Sequence, residues 1–148
     1  MVLYARQWVA GRNLTDAEDA AQEGFVRFWK SRERADNPLA YLYTCVRSAA
    51  MDQHRRGAQC KARDAIAIEN RESWFDAGAE LIDNAIDVQD ALTALPSDQR
   101  EVVVLKIWGG LTFAQIADVA EISANTAASR YRYAMEKLGA ILSDEVGR

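Results

Sequence analysis

Four carboxylates fall within eight positions, Asp16, Glu18, Asp19 and Glu23, a grouping that could hold a cation or share acid–base work. Two of them have simpler uses. Glu18 can close a capping box opened by Thr15, and Asp16 suits the positive end of a helix. No histidine and no second carboxylate cluster completes a ligand set. Cys45 and Cys60 stand without a C-x-x-C partner, which argues against zinc or a disulfide scaffold and fits a reducing cytoplasm. The lone His54 lies beside Arg55 and Arg56 and reads as part of a basic face. Neither a catalytic residue nor a metal or other cofactor is expected. A magnesium-dependent nuclease built on the Asp16 to Glu23 cluster is the enzymatic alternative.

The second chemistry is base recognition. A short helix, a tight turn at Glu121-Ile122-Ser123 and a long helix from Ala124 to about Leu142 follow the helix-turn-helix plan. In that plan the second helix enters the major groove. Its outward candidates are Asn125, Ala128, Ser129 and Arg132, with Arg130 and Lys137 able to reach phosphates. Asparagine suits adenine and arginine suits guanine, whereas phosphate contacts set register. The same spacing would also serve a plain helical hairpin in a bundle.

The elements that must carry these groups are all helical. At 49% hydrophobic and 27% charged, the 148 residues suffice for compact cores. No apolar run approaches the roughly 18 residues of a membrane span, and no secretory leader follows Met1. Val2 to Val9 reads as the tail of a helix closed by Gly11. The next starts at Thr15 and shows one apolar face in Ala21, Phe25, Phe28 and Trp29, against Asp19, Gln22, Glu23 and Arg27. Asn37-Pro38 caps a third, with Leu39, Leu42, Val46 and Ala49 inside, Arg47, His54 and Arg55 on another face with Arg56 alongside, and Gly57 as its stop. Farther on, Val88, Ala91, Leu92 and Leu95 form a short helix ended by Pro96, and Ser97 caps the next. Val102 to Trp108 is nearly all apolar and central, broken by Gly109-Gly110. Thr112 to Gln115 is a capping box, with Phe113, Ile116, Ala117 and Ala120 inside; the last helix buries Ala127, Tyr131, Ala134 and Leu138. Trp8, Trp29 and Trp108 are expected in the core, whereas Trp74-Phe75 either packs one module on the other or anchors a partner.

Charge divides the chain. Residues 1–63 carry a net +4, residues 64–90 a net −7 and residues 91–148 a net −1. The acidity that gives the whole chain a pI near 5.1 therefore sits mostly in one stretch, and nucleic-acid binding elsewhere stays open. The expected organisation is a helical domain over 1–63, an acidic linker over 64–86 and a helix-turn-helix domain over 87–148.

Three stretches carry a family resemblance: Asp16 to Trp29; Asn37 to Tyr43 with Arg47, Asp52, Arg55 and Arg56; and Leu95 to Leu138 with Gln99-Arg100-Glu101, Gly110-Leu111-Thr112, Ile116-Ala117 and Ser129-Arg130. Together they resemble regions 2.2, 2.3–2.4 and 4 of the extracytoplasmic-function sigma factors of bacterial RNA polymerase. The resemblance implies an all-α fold of two small helical bundles joined by an acidic linker. It also implies a promoter-specificity subunit that is not itself an enzyme. Asp19, Gln22, Glu23 and Phe25 would dock on the coiled coil of the polymerase β′ subunit, with the β subunit a further partner. Tyr41, Tyr43, Arg47, Arg55 and Arg56 would melt and read the −10 element, and Asn125, Ser129, Arg130 and Arg132 the −35 element. The linker would pass through the channel that RNA later fills, and an anti-sigma factor would cover the same surfaces.

Departures from the family pattern carry their own expectations. The family's first helix begins well before the match to Leu3-Tyr4-Ala5-Arg6, so the chain reads as starting inside region 2. Tyr41 stands where tryptophan is usual and Ser48 where asparagine is. Glu121 occupies a usual turn glycine, costing roughly 1 kcal/mol or more if its φ is positive. Ala128 replaces a common lysine, making the salt dependence shallower by about one unit of slope. The competing reading is a stand-alone helix-turn-helix regulator, which the first half of the chain, with its docking pattern and no receiver or ligand domain, does not suit.

Overall fold

The computed structural model describes residues 1–8, 14–61, 88 and 90–146. Among them there are helices and no strand: α1 (Val2–Arg6), α2 (Leu14–Ser31), a 3-10 turn (Arg32–Arg34), α3 (Pro38–Lys61), helical residues 88 and 90–93, α4 (Ser97–Ile107), α5 (Phe113–Ala120) and α6 (Ala124–Val146). The chain divides into two compact units, Met1–Glu72 and Ser73–Arg148. The expected linker over 64–86, with Trp74-Phe75, lies outside the described residues, as do Val9 and Gly11.

In the first unit α2 and α3 meet through small side chains. Ala17, Ala20 and Ala21 of α2 are buried, as are Ala40, Val46, Ala49 and Ala50 of α3. At the crossing, a Cβ added to Gly24 would stand 2.6 Å from both the Cα and a methyl carbon of Val46. Backbones this close leave no room for an aromatic ring, so the expected apolar face of α2 is rotated. Phe25 and Trp29 lie outside at 49% and 69% exposure, and Leu39 is exposed at the start of α3.

Three boundaries also differ from expectation. Helix α2 begins at Leu14, so Thr15 stands within its first turn and not at its cap. Helix α3 runs through Gly57 to Lys61, because a buried glycine inside a packed helix costs only about 1 kcal/mol against the contacts that extend it. Ser97 is the first residue of α4, since the Pro96 carbonyl accepts the Arg100 N–H at 2.9 Å and so takes the cap position. Asn37 caps α3 as its type suggests, its Oδ1 accepting the Ala40 N–H at 3.0 Å.

Polar groups lock the first unit from one side. Arg27 donates from Nε to Glu23 at 3.0 Å and from Nη1 to Asp52 at 2.9 Å and Ser48 at 3.1 Å, joining α2 to α3. Those bonds, to Glu23 first and then Asp52, raise the guanidinium pKa above its ordinary value. Behind them, Tyr4 of α1 is buried with its ring edge-on to Tyr43 at 5.3 Å.

The second unit is built around Ala91, Leu92, Leu95, Val103, Ala134 and Leu138. Arg100 fastens the preceding helical turn by donating to the carbonyls of Leu92 (2.8 Å), Thr93 (3.1 Å) and Leu95 (2.9 Å). A cation there also suits the negative end of a helix. Val102 to Leu105 are buried on every side, but Ile107 and Trp108 emerge at the end of α4, so Trp108 is not core. Gly110 turns the chain with φ +64°. Thr112 and Gln115 then form the expected capping box, with reciprocal bonds of 3.2 and 2.9 Å.

Glu121 ends α5 in the left-handed region, at φ 58° and ψ 45°, where a side chain is strained. Glu121→Gly is therefore expected to raise the stability of the second unit by up to about 1 kcal/mol, part of the relief being offset by greater freedom of the unfolded chain. Gly24→Ala is expected to lower the stability of the first unit by about 1–3 kcal/mol through overpacking against Val46. Urea unfolding followed by circular dichroism measures both.

Candidate protein and nucleic-acid interfaces

The close approach at Gly24 leaves Phe28 as the α2 aromatic that meets α3, and Phe25 and Trp29 stand on the outer face. Asp19, Gln22 and Glu23 are exposed there, and Phe25, which the helical period put on the apolar face, is exposed with them. Val26 (47%), which the helical period did not single out, and Trp29, which it put in the core, share this arc. Trp29 is flanked by Arg32, whose guanidinium carbon lies 3.6 Å from the ring centroid. The result is an aromatic patch beside carboxyl and amide acceptors. Glu23 is not wholly available, since one of its oxygens already serves Arg27.

Helix α3 divides the residues assigned to the −10 element. Tyr41 is half-buried with its ring 6.1 Å from that of Phe28. Tyr43 is only 7% exposed, and burial raises its hydroxyl pKa, so its ring is not offered to bases. Arg47 lies half-buried with its guanidinium 5.1 Å from the Trp8 ring, whereas His54, Arg55 and Arg56 are exposed. At about 100° per residue, His54 falls close to Arg47 around the helix but Arg56 lies on the opposite side. The basic residues therefore wrap α3 and do not form one stripe. Next to Tyr41, Cys45 is a buried free thiol whose pKa is raised chiefly by desolvation, against the lowering effects of a bond with Tyr41 and the charge of Arg27. Among the described residues no three histidine, cysteine, aspartate or glutamate side chains gather as a metal site.

In the second unit, α5, the turn and α6 take the helix-turn-helix form. Ser123 caps α6, its Oγ accepting the Thr126 N–H at 3.0 Å. The Phe113 ring sets α5 against α6, 5.6 Å from Tyr131 and 4.7 Å from the Lys106 ammonium. Ala127, Ala134 and Leu138 turn inward. Asn125 and Arg132 are exposed and Ser129 is partly so. These three lie within about 60° of one another around α6. Arg130 does not join them: it lies about 140° from Asn125 and about 160° from Arg132 around the helix, nearer the buried side, and pairs with Asp98 at 3.3 Å. Exposed Tyr133, which sequence reading passed over, lies beside Arg132 with 5.1 Å between guanidinium carbon and ring centroid.

Against this geometry, residues 2–59 match the family description Sigma-70 region 2, and residues 85–138 match Sigma-70, region 4. The ECF RNA polymerase sigma factor SigK of Mycobacterium ulcerans is 29% identical over 141 residues, covering 88% of this chain and 75% of the relative. The ECF RNA polymerase sigma factor SigD of Mycobacterium tuberculosis is 30% identical over 134 residues, 85% of this chain, which spans only 62% of that relative's length. The sigma factor RpoE of Bartonella quintana, solved with the anti-sigma factor NepR, shares the fold at a TM-score of 0.69 and 24% identity, over 96% of this chain and 92% of that one. Both family regions, in order along an all-helical chain with a helix-turn-helix at its end, place this protein in the sigma-70 family, among the extracytoplasmic-function sigma factors.

Proposed function

We propose that the chain acts as a promoter-specificity subunit, bringing core RNA polymerase to its start sites and opening the duplex there, without enzymatic activity of its own. The observation that carries this reading is the outward display of Phe25, Val26 and Trp29 beside Gln22 in one unit, and of Asn125, Ser129 and Arg132 in the other. An aromatic patch ringed by acceptors suits a protein partner with basic side chains. An asparagine and an arginine on one face of a recognition helix suit base edges.

On this reading the α2 face, including Asp19 and Glu23, docks on the β′ coiled coil. Tyr41, Arg47, Arg55 and Arg56 serve the −10 element, the aromatic ring against unstacked bases and the guanidinium groups on phosphates. Buried Tyr43 contributes by holding α1 against α3. Helix α6 reads the −35 element, and the second unit also meets the β subunit. The acidic stretch over 64–86 serves as the linker between the helical domains of 1–63 and 87–148, in a channel built for RNA, where negative charge is accepted. By analogy with the RpoE–NepR pair, an anti-sigma factor covers these surfaces when the protein is held inactive. Its place of action is the cytoplasm, where the polymerase works; no described helix is long and apolar enough to cross a membrane.

Reconstitution with core polymerase tests the proposal. The full chain is expected to co-elute with core at low salt and to direct it to a discrete set of fragments from a genomic library. Failure to associate, or operator binding by residues 91–148 alone that core does not improve, would favour the stand-alone regulator. Two substitutions should separate the surfaces. Trp29→Ala is expected to weaken core binding by about 2 kcal/mol, roughly thirtyfold, with the DNA-contacting face intact. Arg132→Ala is expected to cost about 1–3 kcal/mol of promoter binding and to relax preference at one base pair, with core affinity unchanged. Equilibrium titration against core, and against promoter with holoenzyme, reads the two effects.

A further inference from the structure

Tyr133 of α6 is 53% exposed, outside the core and beyond the three residues assigned to base edges. The Arg132 guanidinium carbon lies over its ring, 5.1 Å from the centroid. That is within the distance at which the negative face of a ring attracts a cation. Consecutive residues of a helix point about 100° apart and do not face each other. A contact between two such exposed side chains requires both to lean over the arc they enclose.

That arc is the reading face. Asn125 and Ser129 fall inside it, about 20° and about 60° from Arg132, and Tyr133 closes it about 40° beyond Ser129. Buried Ala127, Ala134 and Leu138 lie about 100° or more from Tyr133, on the other side of the helix. Long helical side chains lean toward the helix N-terminus, which carries those at 132 and 133 toward the turn of Ser129. Glu136, exposed and four residues on from Arg132, also falls within the arc, at the spacing where a carboxylate draws an arginine toward the following turn. The contact that Arg132 makes is with the ring instead.

We propose that Tyr133 is a positioning residue for base recognition: its ring holds the Arg132 guanidinium over the turn of Ser129, away from Glu136, for a base edge. The proposal rests on α6 being the −35 recognition helix. A paired carboxylate would take up guanidinium donors and the charge with them, whereas a ring attracts the cation as a whole. Donors left uncommitted are what a two-point contact with guanine uses. The ring also narrows the positions a long, flexible side chain explores before DNA arrives, which lowers the cost of ordering it on binding. The base contact belongs to Arg132, and the tyrosine hydroxyl has no part in it.

The test uses the full chain in reconstituted holoenzyme. The probes are a promoter duplex selected by the wild-type holoenzyme from a random pool, and its single-base-pair variants. Tyr133→Leu keeps apolar bulk and removes the aromatic face; it is expected to lower affinity for the selected duplex about two- to fivefold. Affinity for the duplex altered at the base pair where Arg132→Ala relaxes preference should stay unchanged, so preference there falls by the same factor. Tyr133→Phe, which keeps the ring, should match wild type, and Arg132→Ala combined with Tyr133→Leu should lose no more than Arg132→Ala alone. Arg132→Ala separates two kinds of failure. If it keeps wild-type preference at every base pair, the −35 reading of α6 fails and the proposal falls with it. If it relaxes preference while Tyr133→Leu matches wild type or loses equally on every duplex, the positioning role alone is overturned. Loss by Tyr133→Phe as large as that by Tyr133→Leu overturns it too. Should Tyr133→Leu melt at the assay temperature, Tyr133→Gln takes its place under the same criteria.

Discussion

Helices that meet through alanine and glycine can approach closely, and the rest of this structure follows from that closeness. Where Gly24 passes Val46 there is no space even for a methyl group. Phe25 and Trp29 of α2 are turned outward by exclusion, which makes the same sequence feature both a packing device and a source of binding surface. Alanines at 117, 120, 127 and 134 are likewise buried in the second unit, Ala134 in the core with Leu92, Leu95 and Val103. A core of small residues releases less hydrophobic free energy per side chain than one of leucines and phenylalanines. The polar clamps of Arg27 and Arg100 add charge-assisted bonds to helices whose apolar contact is modest.

These clamps also hold the working surfaces in place. Arg27 ties the docking helix α2 to α3 through Asp52 and Ser48, so the aromatic patch is presented from a fixed pair of helices. Arg100 closes the carbonyl end of the turn before α4 and thereby seats the core against which α6 lies. In both cases an arginine is consumed by the fold. Counting basic residues would overstate the phosphate-binding surface, and their partners decide which remain available.

Much of the fold was legible because local chemistry and tertiary structure agree. Asn37-Pro38, the Thr112–Gln115 capping box and the Gly109-Gly110 break all act within one turn of chain, so their residue types alone specify them. The left-handed Glu121 was foreseeable only through the family resemblance, which has a turn glycine at its position. What escaped the sequence depends on distant neighbours. The outward rotation of Phe25 and Trp29 follows from the approach of Val46, twenty-one or so positions away, and the burial of Tyr43 follows from Tyr4. Arg130, grouped by the resemblance with Asn125, Ser129 and Arg132, stands apart from them by its helical angle, and its ion pair with Asp98 is visible only in the fold. A helical period records which residues share a face; only the partner decides whether that face is buried.

The most direct measurement is hydroxyl-radical footprinting of the full chain, free, with promoter duplex alone, with core polymerase, and with core plus promoter duplex. The account predicts that core protects Phe25, Val26 and Trp29 while leaving the Asn125 to Arg132 face reactive, and that promoter then protects that face. If core leaves the α2 aromatics as reactive as in the free chain, or DNA alone protects both surfaces at once, the division of labour between the two units is wrong.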